Sequence, residues 1–348
     1  MRVAMLAPPW IPVPPPGYGG IERVLALLCD ALVEQGHDVE LFCAPGSRSR
    51  ARVRSQLGSP HPESIERALF EADHAARAFA AVDAAAAAGA PFHVVHDHSG
   101  YTALAMADRL GTPLVHTVHG PFDADRRPFY AEHGAKGALV CLSRAQAANA
   151  PAGGNVVAVV PNPVELAPAP PAPGRRDFLL WVGRLTPEKG PQRAITAARR
   201  ARLPLVLAGV VQPGHERFFT EEIEPHLDGR RVRYVGEVGV ADQRRLFAAA
   251  RAFLMPITWP EPFGLVMVEA LAAGTPVLAF AWGAAPEIVE HGRTGYVVRD
   301  EEEMAAFARC VGDVDPEMCR RSVERFAPDR VAARYADVYR AAIARTAG

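Results

Sequence analysis

Short apolar runs alternate along the chain with longer stretches whose apolar positions recur every three or four residues. The short runs suit strands buried on both faces of a parallel sheet, and the longer stretches suit the helices that cover those faces. In the first half the pattern predicts strands over residues 3–8, 39–44, 93–96, 114–118, 138–142 and 156–160, with helices over 20–35, 63–89, 102–110 and 143–148. The first helix places Ile21, Val24, Leu25, Leu28 and Leu32 on one face, and Gly36 closes it. Six prolines then fall between residues 161 and 174, and residues 165–174 read as an extended, semi-rigid linker. Beyond it the pattern restarts. Strands are predicted over 178–182, 205–208, 232–235, 252–255 and 277–280, with helices over 191–200, 218–227 and 241–250 and another after Glu261. The expected architecture is α/β, with two Rossmann-like domains, 1–164 and 175–327, facing across a cleft. In open parallel sheets ligands bind outside the carboxyl ends of the strands, so the site is expected in that cleft.

Composition narrows the classes. A chain of 348 residues is long for one compact core, which favours two domains. A net charge of −1 gives no electrostatic basis for binding nucleic acid. Cys29, Cys43, Cys141, Cys310 and Cys319 are odd in number and scattered, with no Cys-x-x-Cys, as expected of reduced thiols in a cytoplasmic protein. The apolar run of residues 3–7 gives way to prolines and reads as a first strand rather than a signal peptide. No run reaches the ~18 apolar residues of a membrane span. Arg48, Arg50, Arg52 and Arg54 alternate after the second strand. They read as a solvated loop, with contact to an anionic acceptor or a membrane surface as the functional alternative.

The stretch from Glu261 to Thr275 carries the most specific chemistry. Glu261 and Glu269 bracket a Pro262-Phe263-Gly264 turn that opens an apolar helix at Leu265, and Gly274-Thr275-Pro276 ends that helix. A helix start offers unpaired N–H groups and partial positive charge to a phosphate. Glu261, before the helix, can take the hydroxyls of a ligand beyond the phosphates, and Glu269, within it, can take a ribose diol. One turn would then read a nucleotide-diphosphate sugar in three places. Gly183-Arg184 and Lys189-Gly190 follow the first strand of the second half. Cations there would stabilise the negative charge that a diphosphate gains as it leaves. Tyr18-Gly19-Gly20 opens the first helix, and its N–H groups can also face a diphosphate. His96-Asp97-His98 and His116-Thr117-Val118-His119 end two consecutive strands, but alternation puts Asp97 on the face opposite His96 and His98, which argues against a metal site.

These segments resemble the family 4 glycosyltransferases of the GT-B fold. Glu261-x7-Glu269 is similar to the family's paired glutamates, Gly183-Arg184-x4-Lys189-Gly190 to its diphosphate loop, Tyr18-Gly19-Gly20 to its N-terminal glycine loop, and Pro161-Asn162-Pro163-Val164 to the segment before its interdomain linker. The resemblance runs across almost the whole chain in the family's order. It implies a retaining, metal-independent hexosyltransferase with no cofactor, whose co-substrate is a UDP- or GDP-linked sugar. It also implies a small-molecule, glycan or lipid-linked acceptor, and a location in the cytoplasm or at the inner face of the membrane. Arg184, Lys189, Glu261 and His119 become the catalytic candidates. Gly19, Gly20, Gly183, Phe263, Gly264, Leu265 and Glu269 become the donor-binding ones, and Tyr18, His98 and Tyr101 the acceptor-side ones. The last helix, within 328–348, is expected by the same resemblance to return to the N-terminal domain. Glu287, in Gly283-Ala-Ala-Pro-Glu, also resembles the family, whereas Thr258-Trp259-Pro260 stands where Pro-Ser is commoner. Asp123-Ala-Asp125 matches the metal motif of the other major glycosyltransferase fold only by chance. An epimerase or phosphorylase on this fold would need an added base or a phosphate site, and neither is visible. A non-catalytic sugar-binding protein would have little use for Arg184 and Lys189.

Overall fold

The computed structural model describes residues 1–17, 19–65, 67–166 and 177–346. Tyr18 and most of the 165–174 segment lie outside the described residues. The chain divides into two compact units, Met1–Val164 with Phe326–Gly348, and Glu165–Arg325.

In the first unit the elements run β1 (Arg2–Leu6), α1 (Gly20–Glu34), β2 (Asp38–Cys43), β3 (Arg52–Ser55), α2 (Ala68–Ala87), β4 (Val94–Asp97), α3 (Thr102–Ala105), β5 (Leu114–Thr117), α4 (Arg126–His133), β6 (Ala138–Cys141), α5 (Arg144–Ala148) and β7 (Val156–Val159). Among the described residues they build a seven-stranded sheet, β3-β2-β1-β4-β5-β6-β7, in which every pairing is parallel. Successive side chains of a strand point to opposite faces. Val3 and Met5 therefore join Leu25, Leu28 and Leu32 of α1 on one side, while Ala4 and Leu6 join Ala75, Ala78 and Phe79 of α2 on the other.

The second unit runs β8 (Leu179–Val182), α6 (Pro191–Ala201), β9 (Leu205–Ala208), α7 (Glu216–Phe218), β10 (Val232–Tyr234), α8 (Val240–Ala249), β11 (Ala252–Met255), α9 (Leu265–Ala272), β12 (Val277–Phe280), α10 (Ala285–Ile288), β13 (Gly295–Val298), α11 (Glu301–Cys310) and α12 (Pro316–Ser322). Its parallel sheet has the order β10-β9-β8-β11-β12-β13. Helix α13 (Pro328–Thr346) belongs to the first unit, where Val331, Ala332, Tyr335, Val338 and Tyr339 pack into the α1 side of the core.

Three expectations change. Residues 52–55 are an edge strand rather than a loop. Arg52 and Arg54 reach the buried Glu40 carboxylate at 3.3 and 3.2 Å, and with Arg2 at 3.6 Å they neutralise its charge. The helix predicted over 102–110 ends early because the Ala105 carbonyl accepts from Lys136 Nζ at 2.9 Å, and a 3₁₀ turn, Ala107–Arg109, follows. The helix predicted over 218–227 breaks into α7, a π turn (Phe219–Ile223) and a 3₁₀ turn (Glu224–His226). Pro225 has no N–H and crowds the preceding turn, which prevents a regular α-helix. Among the described residues no helix is long and apolar enough to cross a membrane. Cys29, Cys43, Cys141 and Cys319 are buried free thiols, and Cys310 is an exposed one.

Candidate active site

Strand β8 ends at Gly183, and the chain turns through Arg184 and a 3₁₀ turn (Pro187–Lys189) into α6. The Trp181 indole holds this turn from beneath by donating to the Lys189 carbonyl at 3.1 Å. Strand β11 leads to Trp259, Glu261 and the start of α9. Gly264 has φ +86°, the left-handed conformation in which Gly is favoured, and this lets the chain enter α9 directly. Gly283 has φ +55°, and a Cβ there would lie 2.3 Å from the Glu261 carbonyl oxygen. That close approach, with Ala284 N–H donating to the same oxygen at 2.9 Å, clamps the Glu261 backbone. Glu287 lies in α10, just beyond this clamp, and Arg325 donates to its carbonyl at 2.6 Å.

The side chains converge. Lys189 Nζ donates to Glu261 Oε2 at 2.6 Å, with side-chain exposures of 15% and 12%. Trp259, which sequence reasoning noted only as a departure, completes the cluster. Its Nε1 donates to the same Oε2 at 3.1 Å, and its ring lies 4.4 Å from Lys189 Nζ, a cation–π contact. Both bonds fall on Oε2, so among the described residues Glu261 Oε1 is left to accept from a ligand hydroxyl. Arg184 Nη1 donates to Gln212 Oε1 at 2.9 Å, and among the described residues its remaining N–H groups have no partner. Phe263 is buried and supports the turn, while Leu265 is half-buried at the first position of α9. Glu269 faces α8, where Gln243 Nε2 donates to its Oε2 at 2.7 Å. Gln243 left no sequence signal, because the contact joins residues on separate helices.

In the first unit, Gly19 is the N-cap of α1 and Gly20 its first residue. Glu22 folds back against this helix start, and burial pushes its carboxyl up to about 7. His119 lies just past β5. The chain on either side of it is clamped by Gln146, whose Nε2 donates to the carbonyls of Val118 and Gly120, both at 2.8 Å. The Ser143-x-x-Gln146 start signals only the local cap, in which Ser143 Oγ accepts from Gln146 N at 3.1 Å, and not this longer reach. His119 Nε2 contacts His98 Nδ1 at 2.8 Å, and burial holds the His119 ring neutral, its pKa lowered to about 3. His98 is almost fully buried and sits behind His119 rather than at a surface. Asp97, on the opposite strand face, binds His116 Nδ1 at 2.7 Å. Tyr101 is partly exposed, and its hydroxyl accepts from Arg126 Nε at 2.7 Å. Glu71, missed by sequence reasoning, sets that loop by accepting from Tyr101 N, Thr102 N and Thr102 Oγ1, each at 2.7 Å. Asp123 pairs with Arg126 at the start of α4. Among the described residues no group of three or more His, Cys, Asp or Glu side chains is placed to hold a metal ion.

Comparison with known proteins follows the same division. Residues 165–314 match the family Glycosyl transferases group 1, and residues 18–168 match Glycosyltransferase Family 4. The chain is 30% identical to a D-inositol 3-phosphate glycosyltransferase of Streptomyces scabiei, over 98% of this chain and 91% of that protein. Among solved structures it is similar to AviGT4, a glycosyltransferase involved in avilamycin A biosynthesis, with a TM-score of 0.72 and 30% identity over 99% of this chain and 98% of that one. It also shares its fold with sucrose-phosphate synthase from Thermosynechococcus elongatus, with a TM-score of 0.79 and 23% identity over 99% of each chain. With two Rossmann-like parallel sheets, a family match on each half and a relative that is similar over nearly its whole length, the chain belongs to the GT-B glycosyltransferases of the group 1 and family 4 type.

Proposed function

We propose that this glycosyltransferase moves a hexosyl group from a nucleotide-diphosphate sugar to an acceptor hydroxyl, with retention at the anomeric carbon and without a bound metal. The observation that carries this reading is the convergence of Lys189, from the turn after β8, with Glu261 and the start of α9, which follow β11, in the second unit. Lys189 and Arg184 face the diphosphate, with Gly183 and the N–H groups of Gly264 and Leu265 beside it. Glu261 Oε1 takes a hydroxyl of the transferred sugar, and Glu269 takes the ribose diol. As the glycosidic bond breaks, the diphosphate gains charge, and fixed cations stabilise that state more than the bound donor. In the first unit, Gly19 and Gly20 are assigned N–H groups for a phosphate, and His119 a hydrogen bond to a sugar or acceptor hydroxyl. Retention rests on the family resemblance. The S. scabiei relative is named for a phosphorylated polyol, which supports a hydroxyl-rich small molecule as acceptor. Tyr18 and Tyr101 stand as acceptor-side candidates.

Incubation with UDP- and GDP-linked sugars, with and without polyol acceptors, is expected to release nucleoside diphosphate. Release from none of them would overturn the reading. Turnover is expected to persist in excess EDTA, because Lys189 and Arg184 supply the positive field. Loss in chelator that added divalent cation restores would remove the metal-independent part.

Glu269→Gln keeps the shape of the side chain and removes its charge. Hydrogen bonds to charged groups contribute roughly 1.5–3 kcal/mol, so nucleotide affinity is expected to fall about tenfold or more. Calorimetry giving an unchanged Kd would instead make the Glu269 bond with Gln243 a purely structural contact between α8 and α9.

A further inference from the structure

We propose that Trp259 positions Glu261 by fixing the plane of its carboxylate, so that one oxygen is kept out of the Lys189 ion pair and selects a hydroxyl of the transferred sugar. The proposal rests on the reading of Glu261 as a sugar contact and adds what makes that contact selective.

Trp259 is held by the chain on either side of it. Thr258 N–H donates to the Glu188 carbonyl at 3.0 Å, and Glu261 N–H donates to the Trp259 carbonyl at 2.8 Å. A Cβ on Gly190 would lie 2.2 Å from the Pro256 carbonyl oxygen, so the loop after β8 touches the loop after β11 through the backbone as well. The Trp181 indole fixes the first of these loops at the Lys189 carbonyl. From this seat Trp259 Nε1 donates to Glu261 Oε2 at 3.1 Å, and its ring lies 4.4 Å from Lys189 Nζ.

Lys189 donates to the same Oε2 at 2.6 Å, but it cannot set the carboxylate plane by itself. An ammonium is a compact charge with three donors on a flexible stem. One carboxylate oxygen satisfies it, and so do both. A carboxylate paired with Lys189 alone can therefore turn until its two oxygens share the ion pair. The indole N–H is a single donor, fixed in the plane of a rigid ring, and is satisfied by an oxygen at one place only. With Oε2 held there by two donors, Oε1 accepts from no other group among the described residues. Its direction is set before a ligand arrives, so ordering it costs little on binding. A sugar whose hydroxyl lies elsewhere forfeits a bond to a charged acceptor, which is the basis of selection.

Trp259→Phe keeps an aromatic ring beside Lys189 and removes the N–H. Calorimetry without acceptor compares UDP with UDP-glucose and GDP with GDP-mannose, using whichever pair the unaltered chain binds. The ratio of the two Kd values in a pair isolates the part of donor affinity that the sugar supplies. Trp259→Phe is expected to weaken nucleotide-sugar binding by roughly fivefold or more and to leave nucleoside diphosphate binding unchanged. Glu261→Ala is expected to change the ratio in the same direction. Adding Trp259→Phe to Glu261→Ala should then change it no further, because Trp259 acts through Glu261. A purely structural role for Trp259 would weaken both ligands alike or lower thermal stability alone. Either result, or additive effects in the double variant, overturns the proposal. Should Trp259→Phe fail to fold, Trp259→Leu also lacks the N–H and is judged by the same ratio. If Glu261→Ala leaves the ratio unchanged, Glu261 makes no sugar contact, and that reading fails together with the proposal. If Glu261→Ala changes the ratio and Trp259→Phe does not, the reading stands and the proposal alone falls.

Discussion

Arg184→Ala and Lys189→Ala are each expected to lower kcat by about 10²–10³, with a much smaller loss of donor affinity. That range is typical for removing one preorganised group that stabilises developing negative charge. The asymmetry between kcat and affinity comes from timing, because leaving-group charge is larger in the transition state than in the bound donor. The two variants differ in how cleanly they report. Arg184 bonds only Gln212 among the described residues, so its removal strands no buried charge. Lys189 is paired with Glu261 at 2.6 Å in a half-dry setting, so its removal leaves a carboxylate held by Trp259 alone. Lys189→Ala should therefore also weaken the second unit, because breaking one partner of a poorly solvated pair leaves an uncompensated charge. Steady-state kinetics together with thermal unfolding separates the effects. If both variants raise only KM and leave kcat intact, these cations hold the donor and do not activate its departure.

The first unit is expected to lose stability between pH 7.5 and pH 5.5. His74, His96 and His98 are buried, and burial is the largest cause of their lowered pKa values, to about 4 for His74 and well below the ordinary 6.5 for His96 and His98. The direction follows from linkage. Below 6.5 the unfolded chain takes up protons that the folded chain refuses, so the stabilisation is present above 6.5 and is lost as pH falls toward the folded values. One pH unit below 6.5 a ring held at about 4, as His74 is, contributes about 1.4 kcal/mol. His96, His98 and His119 act in the same direction, and the raised Glu22 carboxyl, which gains stability as pH falls, opposes them. Urea unfolding of the intact chain at the two pH values reads this as a fall in midpoint. His74→Leu should reduce the loss by about 1.4 kcal/mol, since its share is removed. A midpoint that hardly moves between the two pH values would mean that these rings gain protons without unfolding.

The α/β class and the elements around β1, α1, β8 and α9 were legible in the sequence, because burial on both faces writes continuous apolar runs and amphipathic helices write a period near 3.6. The chemistry-bearing residues were legible as types at fixed spacings, Glu261 to Glu269 and Arg184 to Lys189, since each pair lies within one continuous strand-to-helix stretch of the chain. What local spacing cannot carry is which side chains meet. The Lys189–Glu261–Trp259 cluster joins loops that follow β8 and β11, and Gln243 reaches Glu269 from another helix. Arg52 and Arg54 looked like part of a solvated loop because their partner, Glu40, sits one strand away. The buried His96 and Thr117 are the extreme case. The tyrosine hydroxyls that meet them, of Tyr339 at 2.7 Å and Tyr335 at 3.0 Å, come from more than 200 residues on, in α13. They reach His96 and Thr117 only because α13 packs against the same face of the sheet as α1. A buried polar group must find a partner wherever the fold supplies one, and for this chain only the tertiary structure decides where that is.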